Sequence, residues 1–108
     1  MNNLEMLVML KSNLEIATSV HDTYLGQLLE VGYKEIKIEG IKIDKVAAPE
    51  GADYSYSIED IGDVNLIIMY AAYLYRKRAD EGAPQMPRML RYALNNRLFS
   101  QKIKEGGS

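Results

Sequence analysis

The stretch Leu66-Ile67-Ile68-Met69-Tyr70-Ala71-Ala72-Tyr73-Leu74-Tyr75 constrains this chain more than any other feature. Its ten residues carry no charge; the acids Glu59, Asp60 and Asp63 crowd the segment before it, and Arg76, Lys77 and Arg78 follow it. Acids first and bases last is the order that complements a helix dipole. A capping box, Ser57-Ile58-Glu59-Asp60, is expected to open this helix, which then runs to about Ala79. The apolar run is about half as long as a bilayer requires, so it reads as a buried helix and not a membrane span. A helix without a polar face is buried on all sides. The chain has 108 residues, enough for a single domain, and buries only about 60–65% of its unfolded surface. Enclosing such a helix is therefore expected to draw on neighbouring subunits.

Three more helices are readable. The first spans about Asn3 to Lys11, where Leu4, Leu7, Val8 and Leu14 recur near helical spacing and Met6, Met9 and Leu10 widen the apolar face. It either closes the core or meets another subunit. The second is expected to open with a capping box at Ser19-Val20-His21-Asp22. Leu25, Leu28, Leu29, Gly32 and Ile36 make its apolar face, and Gly40 stops it. Gly26 and Gly32 each weaken it by about 1 kcal/mol relative to alanine; at Gly32, on the apolar face, close approach of another helix is the expected compensation. The last helix begins at Pro87 or Arg88, after a loop holding Gly82 and Pro84, and its stripe is Met86, Leu90, Ala93 or Leu94, and Leu98.

Residues 41–57 break the helical period. Ile41-Lys42-Ile43-Asp44 and Tyr54-Ser55-Tyr56-Ser57-Ile58 alternate in strand fashion around the turn-forming Ala47–Asp53. Two short strands or an Ω-type loop are both compatible with this pattern. A lone hairpin is marginal in water, so it must pack on the helices or pair with a neighbouring chain. A seventeen-residue excursion in so small a domain suggests a working surface, although an idle tip is the alternative. The fold class expected is mainly α: about four helices with a long loop or short β-hairpin between the second and third. It occupies 1–105 as one domain, with 106–108 as a flexible tail.

The composition leaves little for catalysis. With no cysteine and one histidine, thiolate chemistry, finger-type zinc sites and orienting histidine dyads are excluded. His21 lies beside Asp22 at a helix start and reads as a surface or capping residue. Glu59 and Asp63 are spaced i, i+4, but acids belong at a helix start anyway. No Walker loop, dinucleotide fingerprint or metal-ligand spacing occurs. The expectation is a non-enzyme without cofactor or metal. Met1-Asn2-Asn3-Leu4-Glu5 lacks the basic region of a signal peptide.

Charge and tyrosine are distributed unevenly. The overall count is 15 acids against 13 bases, yet residues 1–54 carry net −4 and residues 55–108 net +2. From Arg76 to Lys104 there are eight bases and two acids. One reading is a small nucleic-acid-binding regulator using Arg76, Lys77, Arg78, Arg88, Arg91 and Arg97; the other is docking onto acidic protein surface. Eight tyrosines stand against one phenylalanine. Tyr70, Tyr73, Tyr75 and Tyr92 form either core or a half-wet subunit interface.

The run Asp63 to Arg78, followed by Met86-Pro87-Arg88-Met89-Leu90-Arg91-Tyr92-Ala93-Leu94-Asn95-Asn96-Arg97, resembles the carboxy-terminal half of head–tail connector (adaptor) proteins of tailed bacteriophages. The segment Asp22-Thr23-Tyr24-Leu25-Gly26-Gln27-Leu28-Leu29, leading to Gly40-Ile41, agrees with the amino-terminal half more loosely. The tyrosine-bearing insert departs from compact members of that family. The resemblance implies a structural virion protein of the neck region, made in the host cytoplasm. Such a protein forms a ring of about a dozen subunits that joins the portal to the next connector or tail protein. The ring extends a channel through which DNA passes without sequence-specific binding. Candidate interface residues are then Tyr70, Tyr73, Tyr75, Arg76, Arg78, Arg88, Arg91, Tyr92, Asn95 and Arg97. Leu94 to Lys104 would reach the portal, and Pro49, Tyr54 and Tyr56 would mark a partner-facing loop. No membrane is implied.

Overall fold

The computed structural model describes residues 1–79 and 86–106. Four helices, α1 (Asn3–Asn13), α2 (Asp22–Ile38), α3 (Ile61–Ala79) and α4 (Arg88–Gly106), are joined by an antiparallel hairpin between α2 and α3. The hairpin pairs β1 (Val46–Ala47) with β2 (Tyr56–Ser57), in the register Val46 to Ser57 and Ala47 to Tyr56. The mainly-α class is as expected, and the insert follows the strand reading in part. β2 lies within the alternating segment 54–58, but β1 takes Val46 and Ala47 at the edge of the expected turn. The alternating segment 41–44 forms no strand and instead sends Ile41 and Ile43 into the core. α4 takes in Gly106, one residue past the expected end of the domain. Gly82, Pro84, Gly107 and Ser108 lie outside the described residues.

α2 and α3 form the central pair, α1 packs on both, and α4 lies against α3. At Gly32 α2 and α3 come close: a Cβ there would meet the Ile67 carbonyl oxygen at 3.4 Å and the Ala71 nitrogen at 3.6 Å. Its backbone freedom is offset by helix contact, as its place on the apolar face implies. One continuous core unites Met6 and Leu10 of α1, Leu25, Leu29 and Ile36 of α2, Val64, Ile67 and Ala71 of α3, and Leu90 and Leu94 of α4. The insert adds Ile41, Ile43, Tyr56 and Ile58 to the same core. With that contribution the chain itself buries Leu66, Ile67, Ile68, Tyr70, Ala71 and Ala72. Neighbouring subunits are not needed to enclose this part of α3. Only Met69, Tyr73, Leu74 and Tyr75 stay half-buried.

The amino terminus holds the hairpin to the helices. Asn2 bridges Ser57, the Ile58 nitrogen donates to the Met1 carbonyl at 2.9 Å, and the Asn3 Oδ1 accepts from Ser55 and Tyr56 nitrogens at 2.8 and 3.2 Å. The pairing the hairpin needs therefore comes from its own chain.

Helix starts differ from expectation in an instructive way. The capping box is at α1, where Asn2 Oδ1 accepts from the Glu5 nitrogen and Glu5 accepts in return from the Asn2 nitrogen. α2 has His21 at its N-cap and no side-chain cap; Ser19 joins a backbone turn in which its carbonyl accepts from Asp22. Ser57 is drawn into β2, and Asp60 takes the capping role at α3, accepting from Gly62 and Asp63 nitrogens at 2.8 and 3.1 Å. α2 ends as expected: Gly40 sits at φ +100°, the left-handed conformation glycine takes without strain. The principal extents are 47 × 44 × 19 Å and the radius of gyration is 14.6 Å, above the roughly 13 Å typical of this length. The molecule is a flat slab with much of its surface on two broad faces.

Candidate assembly surfaces

Polar side chains on α4 divide into those spent inside the chain and those left outside. Arg97 lies against the start of α3, its Nε 3.0 Å from Asp63 Oδ1 and its Nη2 2.9 Å from Asp60 Oδ2. Asp63 is 3% exposed, and burial raises its pKa above the ordinary value against the opposing pull of Arg97. Asp60 is lowered, chiefly because the Asp63 backbone N–H donates to its carboxylate. Gln101 holds the next turn by exchanging hydrogen bonds of 2.9 Å with the Lys42 backbone. These groups, with Asp44 and Ser100, line a cleft of about 390 Å³. Arg91 grips Glu39 with two bonds of 3.0 and 3.1 Å. The result is a clasp that fixes α4 on the body of the fold.

Two aromatic clusters do similar work. Lys45 lies 4.5 Å from the Tyr33 ring centroid and 4.2 Å from that of Tyr56, with its ammonium 2.9 Å from Glu30 Oε1. Tyr56 is pushed up to about 12, first by burial and then by the Glu30 charge. At the carboxy-terminal end of α3, Arg78 sits 4.9 and 5.2 Å from the Tyr24 and Tyr75 ring centroids. His21 meets Tyr75 edge-on at 6.3 Å.

The expected interface residues therefore separate. Tyr70 is core, packed edge-on against Tyr73 at 5.9 Å, and Tyr56, on β2, is buried in the core. Both were expected at partner contacts; burial removes them. Arg91 and Arg97 are engaged by the chain's own acids, which removes two of the six bases of the nucleic-acid reading. Tyr73 and Tyr75 are half-buried, and Tyr54 is half-buried on the hairpin while Pro49 is exposed. Arg76, exposed, reaches Asn13 Oδ1 at 3.3 Å. Arg78 is exposed over its two rings, and Arg88, Tyr92 and Asn95 all face outward. Among the described residues no acid, histidine or cysteine group is arranged to hold a metal, and no helix is long and apolar enough to cross a membrane.

The outward face of α4 sets Tyr92 in a row with Met89, Phe99 and Ile103, which the sequence alone did not single out. Met89, Tyr92, Phe99 and Ile103 are 78, 68, 65 and 57% exposed, and Asn96 is exposed between them. The signal was the 3-4-3-4 spacing of 89, 92, 96, 99 and 103, hidden behind the stronger stripe on the opposite face. Beside it, between α3 and α4, runs a groove of about 390 Å³ lined by Asn65, Leu66, Met69, Ala93, Asn96 and Ser100, among others. Comparisons with protein-family models, with curated proteins and with solved structures found no match.

Proposed function

We propose that this protein is a structural subunit of a phage neck, a ring-forming head–tail connector that joins the portal to the next connector or tail protein. In this reading DNA passes through the ring without being read. The observation that carries the assembly part of the reading is the outer face of α4: large apolar side chains in a row, beside Arg88 and Lys102, which make no ion pair within the described residues. Contiguous exposed apolar surface rimmed by polar groups marks protein contact sites. The connector identity itself rests on the resemblance carried by residues 63–78 and 86–97. The hairpin tip at Pro49 and Tyr54 would face the component on the tail side.

Native mass spectrometry and light scattering test it, on the protein alone and mixed with purified portal rings from its own genome. A ring, or saturable binding to the portal, supports the connector. A species that never exceeds a dimer and leaves the portal untouched overturns it. Duplex binding with a steep negative salt slope would favour the nucleic-acid reading instead. That alternative has Arg76, Lys77, Arg78 and Arg88 left for phosphates once Arg91 and Arg97 are spent.

A further inference from the structure

The exposed row on α4 has the period of a coiled-coil seam. Met89, Asn96 and Ile103 are spaced by seven, as are Tyr92 and Phe99, which places them at alternating a and d positions of two heptads. This seam faces away from the core, which is served by Leu90, Leu94 and Leu98 on the other side of the helix. We propose that a second copy of this chain covers the seam, through a parallel α4–α4 pair about a two-fold axis. The pair takes up the α4 face on which the proposed assembly rests, and a two-fold contact there joins two copies without itself closing a ring.

Three observations select a second copy and the parallel sense. First, Asn96 is the single polar residue in the seam and occupies its middle a position. Across a two-fold axis the two amides meet, each donating and accepting, so that a group unfavourable against an apolar partner is satisfied by its own copy. Second, the flanks differ. Arg88, Asn95 and Lys102 line one side, Ala93 and Ser100 the other. In a parallel pair Arg88 falls beside the partner's Ala93, and Asn95 beside the partner's Ser100. In an antiparallel pair the basic flank faces itself, Arg88 against the partner's Lys102, which is repulsive. Third, the area is adequate. Four side chains of this size at those exposures present roughly 500 Å² per copy. The adjoining α3–α4 groove, with Met69 on its wall, brings the patch toward the roughly 800 Å² per partner of a standard interface.

The test is sedimentation equilibrium of the full chain from micromolar to millimolar concentration, with Phe99→Asp and Tyr92→Glu alongside. The expected result is reversible doubling of the 12.2 kDa chain mass. Each variant is expected to weaken it by at least about 100-fold with unchanged helical circular dichroism, since both residues are exposed. The sense of pairing is read from cysteine variants, which are clean because the chain has no cysteine of its own. Ile103→Cys is expected to form a disulfide-linked dimer under mild oxidation, while Val20→Cys, on the exposed turn before α2, stays monomeric. A monomer at every concentration, a dimer indifferent to both charged variants, or equal cross-linking of the two cysteines would overturn the proposal. With the pair lost and a ring still formed in Phe99→Asp, the pairing stands and the ring contact lies elsewhere on the slab.

Discussion

Asp63 is the residue on which the carboxy-terminal half of the fold turns. It is an acid placed where a core side chain would sit, facing Arg97 from a helix 34 positions later in the chain. Removing Arg97 leaves a buried carboxylate uncompensated, and that is costlier than the loss of a surface pair. Arg97→Met is expected to lower stability by about 2 kcal/mol at neutral pH, less than breaking a fully buried pair costs, because the guanidinium is partly exposed. Urea unfolding measures it, and an unchanged midpoint would mean that the clasp contributes nothing. The two carboxylates also respond to acid in opposite senses. Asp60 is lowered in the fold, so its contribution is present above its unfolded value and is lost as pH falls through the folded one. Asp63 is raised, so its contribution is present below its unfolded value and is lost as pH rises through the folded one. In the wild type the two partly cancel across the acidic range. Asp63→Asn should therefore make acid destabilisation steeper and Asp60→Asn should make it shallower, read from urea midpoints between neutral pH and the acidic limb. Parallel curves for all three proteins would refute this assignment.

At the scale of elements, glycine separates what local chemistry decides from what packing decides. Gly26 lies inside α2 with nothing within 4 Å of where a Cβ would go, whereas Gly40 terminates the same helix at φ +100°. Gly26→Ala is expected to stabilise by about 1 kcal/mol through helix propensity. Gly40→Ala is expected to destabilise by about 1 kcal/mol through strain, despite only ordinary contact with Leu98. Thermal denaturation of the two variants should move in opposite directions; movement in the same direction would sink the argument. The Gly40 stop and the apolar faces of α2 and α3 were legible because they follow from local periodicity and backbone freedom. Cap identity was less legible. Asn2-Asn3-Leu4-Glu5 satisfies the capping-box spacing but begins with asparagine in place of serine or threonine, while Ser57 fits the pattern yet is claimed by strand pairing with Val46. The clasp was invisible for another reason: Asp60, Asp63, Glu39, Arg91 and Arg97 meet only after α4 folds back, and no local rule joins residues so far apart. On α4 the core stripe of Leu90, Leu94 and Leu98 was legible by spacing, whereas the row at 89, 92, 96, 99 and 103 on the opposite face was masked by it.

For the whole molecule, the decisive quantity is how much burial one chain achieves alone. The apolar run of α3 argued for enclosure by neighbours, but the insert supplies Ile41, Ile43, Tyr56 and Ile58, and the core closes over most of that helix. What remains for partners is peripheral: the outer face of α4, the half-buried end of α3, and the hairpin tip. An assembly held by such surfaces differs from an obligate one, whose subunits have no folded monomer. The chain is therefore expected to remain folded when diluted to low micromolar concentration, with full helical ellipticity and a cooperative thermal transition. Any dependence of the midpoint on concentration should follow mass action and disappear in Phe99→Asp. Loss of helix on dilution would mean that intersubunit burial is part of the core after all. Persistence of helix separates folding from assembly, and that separation has a physical consequence for a subunit that assembles as proposed. A slab that is already rigid arrives with its contact residues placed, so association orders only the side chains at its rim and loses less conformational entropy than coupled folding would.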